Sequence, residues 1–181
     1  AFLQQNRSAT SVTWIGHSSI LLQLGGLNIL TDPVLGPRAS PLAFAGPRRF
    51  SAPGLLLDQL PHIDLVLLSH NHYDHLDEST VRRLNRQAGG PPHFLVPLGL
   101  RNWFVQRNMH KVTEMDWWES LSIDALKIHF VPAQHWSSRT LTDRNQSLWG
   151  GFVVDGPAFR FYFAGDSGYS KDFADIGERF P

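Results

Sequence analysis

The chain lacks cysteine entirely, although it contains nine histidines among its 181 residues. Without cysteine there is no disulfide framework, and any transition-metal site must be built from histidine, aspartate or glutamate. No apolar run reaches the roughly 18 residues that a membrane-spanning helix needs. Acidic and basic residues balance at 16 each, so no basic excess points to a nucleic-acid backbone, and we expect no nucleic-acid partner.

The chain has the length of one ordinary domain, and a hydrophobic content of 42% is enough for a packed core. Short apolar runs predict strands at residues 12–15, 20–24 and 27–31, followed by a mixture of strands and helices from residue 65 onward. The predicted helices span residues 78–87, 100–107 and 170–179. This order favours an α/β sandwich over a doubly wound sheet. Residues 32–54 are rich in proline and glycine, which predicts a long and irregular loop of the kind that is usually functional or disordered.

Four potential metal ligands lie within one short run, in which His70, His72, Asp74 and His75 follow an apolar segment that is typical of a buried strand. On a regular helix or strand this spacing cannot direct all four side chains to one point. A tight loop can direct the first two to one metal ion and the other two to a second ion. Two metal ions roughly 3.5–4 Å apart can hold both oxygens of an in-line displacement. The alternative is a loop of solvated polar side chains, which so dense a cluster disfavours.

Two further candidates, His135 and Asp166, each follow a predicted strand, where a rigid scaffold presents site residues. A carboxylate such as that of Asp166 could bridge two cations. On spacing alone, a surface histidine and a turn aspartate are equally compatible with the sequence, so both interpretations stay open. Asp32 and Asp77 are candidates for fixing the histidine tautomers, with a turn or a helix cap as the alternative role for each.

Short motifs elsewhere in the chain accompany these residues. They are Thr31-Asp32-Pro33, Arg38-Ala39-Ser40-Pro41, Gly46-Pro47-Arg48-Arg49-Phe50, Gln134-His135-Trp136, Leu148-Trp149-Gly150 and Phe163-Ala164-Gly165-Asp166-Ser167-Gly168-Tyr169. Together with the histidine cluster, they make the chain resemble the metallo-β-lactamase-fold hydrolases. Within these, the resemblance is greatest to the N-acylphosphatidylethanolamine-hydrolysing phospholipase D branch and its bacterial relatives.

The resemblance implies an αββα sandwich of two similar halves. We expect residues 1–181 to form one such domain, with part of the second half absent and supplied by a complementary C-terminal segment or another chain. The sheet that carries His70 is then expected to leave an apolar face open. The implied ligands are His70, His72 and His135 for a first zinc ion and Asp74 and His75 for a second, with Asp166 bridging. A downstream histidine completes the second site in the family, so this chain is expected to be one ligand short.

The function that the resemblance implies is hydrolysis of an N-acylphosphatidylethanolamine-type phospholipid. The predicted mechanism is attack on phosphorus by a hydroxide that bridges two zinc ions, with Asp74 as a catalytic residue that orients it. Hydrolysis of a lactone or another small ester or amide is an alternative, because the same metal pair supports attack on a carbonyl carbon. A metal-binding protein without turnover is a third possibility.

The remaining predictions concern substrate and membrane contacts. Candidates for substrate contacts are His17 in a turn and Arg38, Arg48 and Arg49 in the long loop, with structural or solvated roles as the alternative. Trp117, Trp118 and residues 55–57 could face lipid, although core packing is favoured for them. A peripheral membrane contact would suit a phospholipid substrate, and we expect a cytoplasmic or membrane-peripheral location.

Overall fold

Two β-sheets packed face to face form the centre of the protein in a computed structural model that describes residues 2–42 and 44–181. The first sheet contains, in spatial order, β1 (Ser11–Gly16), β2 (Ser19–Leu24), β3 (Leu27–Thr31), β4 (Leu65–Leu67), β5 (His93–Pro97) and β6 (Val112–Met115). Its first three strands are antiparallel and the others run parallel. The second sheet is antiparallel and contains β7 (Ser120–Ile123), β8 (Leu126–Val131), β9 (Gly151–Asp155) and β10 (Arg160–Phe163).

Helices cover the outer faces of both sheets. They are α1 (Phe2–Gln5), α2 (Glu78–Leu84), α3 (Arg101–Val105) and α4 (Asp172–Arg179), with a short 3-10 helix at Leu57–Gln59. Residues of α2 and α3 pack on the first sheet, and Ile176 of α4 packs on the second. The layers therefore follow the αββα order that the resemblance implies. In the described part of the chain, no helix combines the length and apolar character needed to cross a bilayer.

The two faces of the first sheet are buried in different cores. Leu30 and Val66 point toward the helices, whereas their neighbours Ile29 and Leu67 point toward the second sheet. Successive side chains on a strand alternate between faces, so this sheet needs apolar residues in nearly continuous runs. The expectation of an open apolar face on the sheet that carries His70 is wrong, because the second sheet covers that face.

Gly165 follows β10 and fixes how closely this strand end approaches the end of β4. Its φ is +62°, and a Cβ atom added there would lie 2.6 Å from Ser69 Cβ and 2.9 Å from the Gly150 carbonyl oxygen. We expect Gly165→Ala to lower the free energy of unfolding by about 2–3 kcal/mol, because it combines backbone strain with a clash. Urea unfolding measures the change.

Gly177 provides the matched control, because it lies inside α4 and a Cβ atom there would meet nothing within 4 Å. Gly177→Ala is expected to raise the free energy of unfolding by about 0.5–1 kcal/mol through its higher helix propensity. Equal stability of the two variants would contradict the close-approach argument for Gly165.

Candidate metal centre

Three histidines from two parts of the chain converge on one point. His70 and His72 lie in the loop that follows β4, and His135 lies in the loop that follows β8. His70 Nε2 is 2.9 Å from His72 Nδ1, and His135 Nε2 is 3.2 Å and 3.3 Å from these two atoms. The structure therefore brings together the three residues that the resemblance assigns to the first metal.

The donor set fits a zinc-type cation. Four ligands about 2.0–2.1 Å from a tetrahedral ion lie about 3.3–3.4 Å from one another, close to the separations of these three nitrogens. Burial, followed by the neighbouring histidines, lowers the pKa of His70 to about 2. Burial also lowers the pKa values of His72 and His135. Three neutral imidazoles thus present lone pairs to one point, an arrangement that a shared cation relieves.

Beside this triad, a second group forms around His75. Its Nε2 lies 3.2 Å from Asp166 Oδ2 and 3.8 Å from Asp74 Oδ2. Asp166 Oδ2 is also 3.8 Å from His135 Nε2, so its carboxylate lies between the two groups of ligands. Burial lowers the pKa of His75, but hydrogen bonds to Asp166 and Asp32 outweigh burial and raise it to about 10. The bridging role of Asp166 suits this geometry and stays a prediction.

The fully buried carboxylate of Asp32 orients imidazoles in both groups. It accepts hydrogen bonds from His75 Nδ1 at 2.6 Å, from Ser69 N at 2.7 Å and from Ser69 Oγ at 2.5 Å. Because Ser69 Oγ gives its hydrogen to Asp32, it accepts from His70 Nδ1 at 2.8 Å. His70 therefore carries its hydrogen on Nδ1 and directs a bare Nε2 to the centre, whereas His75 donates from Nδ1 to Asp32 and from Nε2 to Asp166.

Asp77, the other aspartate proposed to fix a tautomer, has the alternative role. Its side chain caps α2 by accepting from Ser79 N at 3.0 Å, and it also accepts from Thr80 Oγ1 and Gly36 N. Of the two roles that the sequence leaves open for Asp77, the helix cap holds, because these donors keep the carboxylate at the start of the helix.

A cavity of about 650 Å³ opens beside the triad, and its walls include His17, Arg38, Arg48 and Arg49. All four predicted substrate contacts therefore lie next to the histidine cluster. Two of the arginines bind backbone carbonyls: Arg38 donates to Gly46, while Arg49 donates to Val34 and Gly36. Arg48 makes no side-chain hydrogen bond or ion pair to another described residue, so it is the arginine best placed to meet an anion.

The residues considered for a lipid-facing surface are mostly packed. Trp117 contacts Trp149 and donates to its carbonyl at 2.6 Å, and Trp118 packs against Val131 and Val153. Leu55 and Leu57 pack against the core under the first sheet, whereas Leu56 is exposed. Core packing, the alternative that the sequence favoured, therefore holds for these residues apart from Leu56.

Arg139 supports the metal-binding loop, a role that no motif predicts. Its Nη1 donates to the carbonyls of Asn71 and Leu76 at 2.9 Å each, and its guanidinium stacks over the Tyr73 ring at 4.0 Å. The two carbonyls lie just inside the start and just after the end of the cluster that runs from residue 70 to residue 75. A single side chain therefore ties the two ends of the loop to the loop after β8.

Arg139→Met is expected to lower zinc affinity about tenfold and the free energy of unfolding by about 2–3 kcal/mol, because two carbonyls lose a charged donor. Competition with a chromophoric chelator and urea unfolding measure the two effects. Arg86→Met is the control, since Arg86 is exposed and should leave both quantities unchanged. An Arg139→Met protein with wild-type zinc affinity would show that the loop keeps its shape without this side chain.

Comparison with known proteins bears on this site. A sequence profile described as the beta-lactamase superfamily domain matches residues 27–181. N-acyl-phosphatidylethanolamine-hydrolyzing phospholipase D 1 of Caenorhabditis elegans is 40% identical over 187 residues, which cover 96% of this chain and 51% of that protein. An uncharacterized protein of Mycobacterium tuberculosis is 45% identical over 174 residues, which cover 94% of this chain and 45% of that protein. The chain thus spans about half the length of these two relatives.

A metal-dependent hydrolase of Methylacidiphilum infernorum is 31% identical over 170 residues, which cover 93% of this chain and 67% of that protein. Among solved structures, a possible metal-dependent hydrolase from Veillonella parvula has a TM-score of 0.72 at 18% identity, covering 96% of this chain and 69% of the other. These matches confirm the resemblance and the fold, whereas the ligand roles and the complementary segment stay predictions. The chain belongs to the beta-lactamase superfamily, among its metal-dependent hydrolases.

Proposed function

We propose that this site hydrolyses phosphodiesters with two zinc ions, and that its substrate is an N-acylphosphatidylethanolamine-type phospholipid. The observation that carries the proposal is the position of the histidine and aspartate cluster at the wall of a cavity that also contains Arg48. A relative that is 40% identical is described as acting on this lipid class, which supports the choice of substrate.

The residues present divide into two sets of ligands. His70, His72 and His135 would hold one zinc ion, Asp74 and His75 the other, and Asp166 would bind both. When bound, zinc ions lower the pKa of water toward neutrality and stabilise negative charge on phosphoryl oxygens. Nitrogen and carboxylate oxygen donors of this kind also accept iron and manganese, so zinc is part of the proposal.

The chain's own residues prepare the site for this chemistry. Asp32 holds the His75 ring, and through Ser69 the His70 ring, so that both Nε2 atoms point inward before any ligand arrives. Such fixed orientation lowers the reorganisation that a reaction requires. The half-exposed carboxylate of Asp74 faces the cavity, where it can accept a hydrogen bond from the attacking water and orient it.

Arg48 is proposed to bind the phosphate of the substrate. A guanidinium presents paired donors that match two phosphate oxygens, and Arg48 has no competing partner among the described residues. The cavity wall near it is apolar, with Val34, Pro47 and Phe50. A site that combines a guanidinium without a competing partner with apolar wall residues suits an anionic lipid better than a small polar ester.

The long loop around the cavity also suits a membrane surface. Phe44 and Phe50 lie in this loop and are exposed, as is the neighbouring Leu42. Exposed apolar side chains can mark interaction sites, and aromatic residues are favoured at the boundary between lipid and water. We propose that this loop rests on the membrane while the substrate enters the cavity.

Turnover of an N-acylphosphatidylethanolamine and of a chromogenic phosphodiester, compared with a panel of lactones, tests the proposal. We expect zinc-dependent cleavage of the phosphodiesters and little cleavage of the lactones. Arg48→Ala should raise KM for the phosphodiesters about tenfold and leave that of any lactone unchanged, because only the phosphate carries the matching charge.

Arg101→Ala is the control for loss of a surface charge, since Arg101 is exposed and does not line the cavity. Cleavage of lactones in preference to phosphodiesters would replace the phosphodiesterase proposal with the carbonyl alternative. Binding of two zinc ions without turnover of either class would favour a metal-binding protein without catalysis.

A further inference from the structure

A second cavity, of about 700 Å³, lies next to the cavity of the metal centre. The two cavities share three wall residues, Gly36, Arg38 and Tyr73. None of the histidines and aspartates proposed as metal ligands lines the second cavity. A molecule held there would therefore not contact the metal centre, and the chemistry of its walls has to be considered separately.

Arg107 and Arg139 bring two guanidinium groups to the wall of this second cavity. Both lie over the Trp103 ring, at 4.0 Å and 5.2 Å from its centre. An aromatic face stabilises a cation by about 0.5–2 kcal/mol. The ring supplies no oxygen or nitrogen acceptor, however, so it leaves the N–H groups of the two arginines in need of partners.

Arg139 is the less satisfied of the two arginines. Its Nη1 donates to the carbonyls of Asn71 and Leu76, whereas its Nε and Nη2 donate to no described residue. No carboxylate in the described part of the chain forms an ion pair with it. Burial lowers the pKa of its guanidinium, and the acidic residues around it do not outweigh burial. Buried charges in proteins are normally paired, so this one points to an anionic ligand.

We propose that the second cavity binds a phosphate group, carried by a small soluble molecule or by a lipid headgroup, between Arg107 and Arg139. Guanidinium groups match phosphate oxygens with paired, charge-assisted hydrogen bonds. Trp103 and Leu42 provide an apolar part of the wall for the rest of the molecule. The site is separate from the metal centre and goes beyond the proposed function, whatever bond that centre cleaves.

The cavity walls also contain three carboxylates, those of Asp77, Glu78 and Asp143. Asp77 and Asp143 accept hydrogen bonds from backbone N–H groups close to them in the chain. Glu78 is paired with Arg82 at 2.8 Å and with Arg107 at 3.0 Å. Each carboxylate is therefore occupied by donors of the protein, which leaves the second arginine over the Trp103 ring without a counter-charge.

Inorganic phosphate, added to the zinc-loaded protein, is the probe that tests the proposal. The indole N–H signal of Trp103 in a two-dimensional NMR spectrum is the local readout, assigned from its absence in Trp103→Phe. Phosphate also binds zinc, but Trp103 lines only the second of the two cavities. We expect a saturable shift of this signal in the wild-type protein.

Arg107→Gln should weaken this phosphate binding at least about tenfold, because one of two charged donors is lost. Gln106 lines the same cavity and is exposed, so its charge can be changed without disturbing the core. Gln106→Glu should weaken binding about threefold, and Gln106→Lys should strengthen it about threefold. Gln5→Glu is the matched control, since Gln5 is exposed on α1 and lies outside the cavity.

A short-chain phosphatidate that stays monomeric distinguishes the two sources of the phosphate group. Tighter binding of this lipid than of inorganic phosphate, with the same dependence on Arg107, assigns the site to a lipid headgroup. Weaker binding of the lipid assigns the site to a small soluble phosphate. Both results support a phosphate site in the second cavity.

Two results would overturn the inference. One is a Trp103 signal that inorganic phosphate leaves unchanged in the wild-type protein. The other is a shift with the same midpoint in the wild type and in both Gln106 variants, which decides the matter even where Arg107→Gln does not fold. If Trp103 responds as expected but the wild type cleaves no phosphodiester, the phosphate site stands and only the proposed function falls.

Discussion

Replacing His72 with alanine is expected to abolish zinc binding at the first position and to lower phosphodiesterase kcat/KM by about 10³-fold or more. His72 Nδ1 is one of three nitrogens within 3.3 Å of one another, and two remaining imidazoles hold a cation far less firmly than three. Bound metal ions contribute several kcal/mol to the stabilisation of a transition state, which corresponds to this loss in rate. Metal analysis and steady-state kinetics measure both effects.

The same substitution should leave the stability of the metal-free protein nearly unchanged. His72 is only partly buried, and its Nε2 is buried without a hydrogen-bond partner among the described residues. Its removal therefore eliminates an unsatisfied polar atom and relieves crowding between imidazoles that lack a cation. In saturating zinc, the variant should instead be less stable than the wild type, by about 4 kcal/mol when free zinc is 1,000 times the dissociation constant.

His110→Ala is the control, since His110 is exposed and lies outside the candidate ligand groups, and it should behave as the wild type in both conditions. A His72→Ala protein that retains two zinc ions, or one whose kcat/KM stays within tenfold of the wild type, would contradict the assignment of this histidine. A large loss of stability without metal would show that His72 is mainly structural, because its packing against Trp136 would then outweigh its lone pair.

Local sequence predicted the elements of the fold better than their ends. The helix predicted at residues 78–87 ends at Leu84, and beyond it the Gln87 side chain bonds with Ile63 instead of continuing a helix surface. Gln87 accepts from Ile63 N at 3.0 Å and donates to the Ile63 carbonyl at 2.7 Å. A contact between residues 24 positions apart leaves no trace in local propensity.

The residues of the site likewise differ in how far the local sequence predicted them. The His70 to His75 cluster is evident because it places four potential ligands in one short run. His135 and Asp166 required the resemblance, since each is a single residue at a strand end. Ser69 and Arg139 were missed because their roles depend on distances that only the folded chain defines. Ser69 directly precedes the cluster, which is a local signal that could have been used, whereas Arg139 lies in a polar loop without any such signal.

Substitution of Asp32 is expected to lower both the stability of the protein and its affinity for zinc, because Asp32 orients two of the ligands. It accepts three buried hydrogen bonds, two from Ser69 and one from His75, so truncation to alanine leaves several buried donors unsatisfied. Asp32→Ala should lower the free energy of unfolding by about 4 kcal/mol, and the isosteric Asp32→Asn by about 2–3 kcal/mol. Asp32→Asn places an amide N–H₂ against existing donors, so it should also release the rings and lower zinc affinity about 10–100-fold.

Asp77→Asn is the control for the loss of a buried carboxylate that does not orient a ligand. Asp77 also accepts three hydrogen bonds, from Gly36, Ser79 and Thr80, but it contacts no histidine of the cluster. Its substitution should lower stability by about 1–2 kcal/mol through loss of the helix cap, with zinc affinity unchanged. Equal zinc affinities for the two variants, measured by chelator competition and set against their urea unfolding, would mean that imidazole orientation does not depend on Asp32. A selective loss in Asp32→Asn would instead trace the metal affinity of both ligand groups to one buried carboxylate.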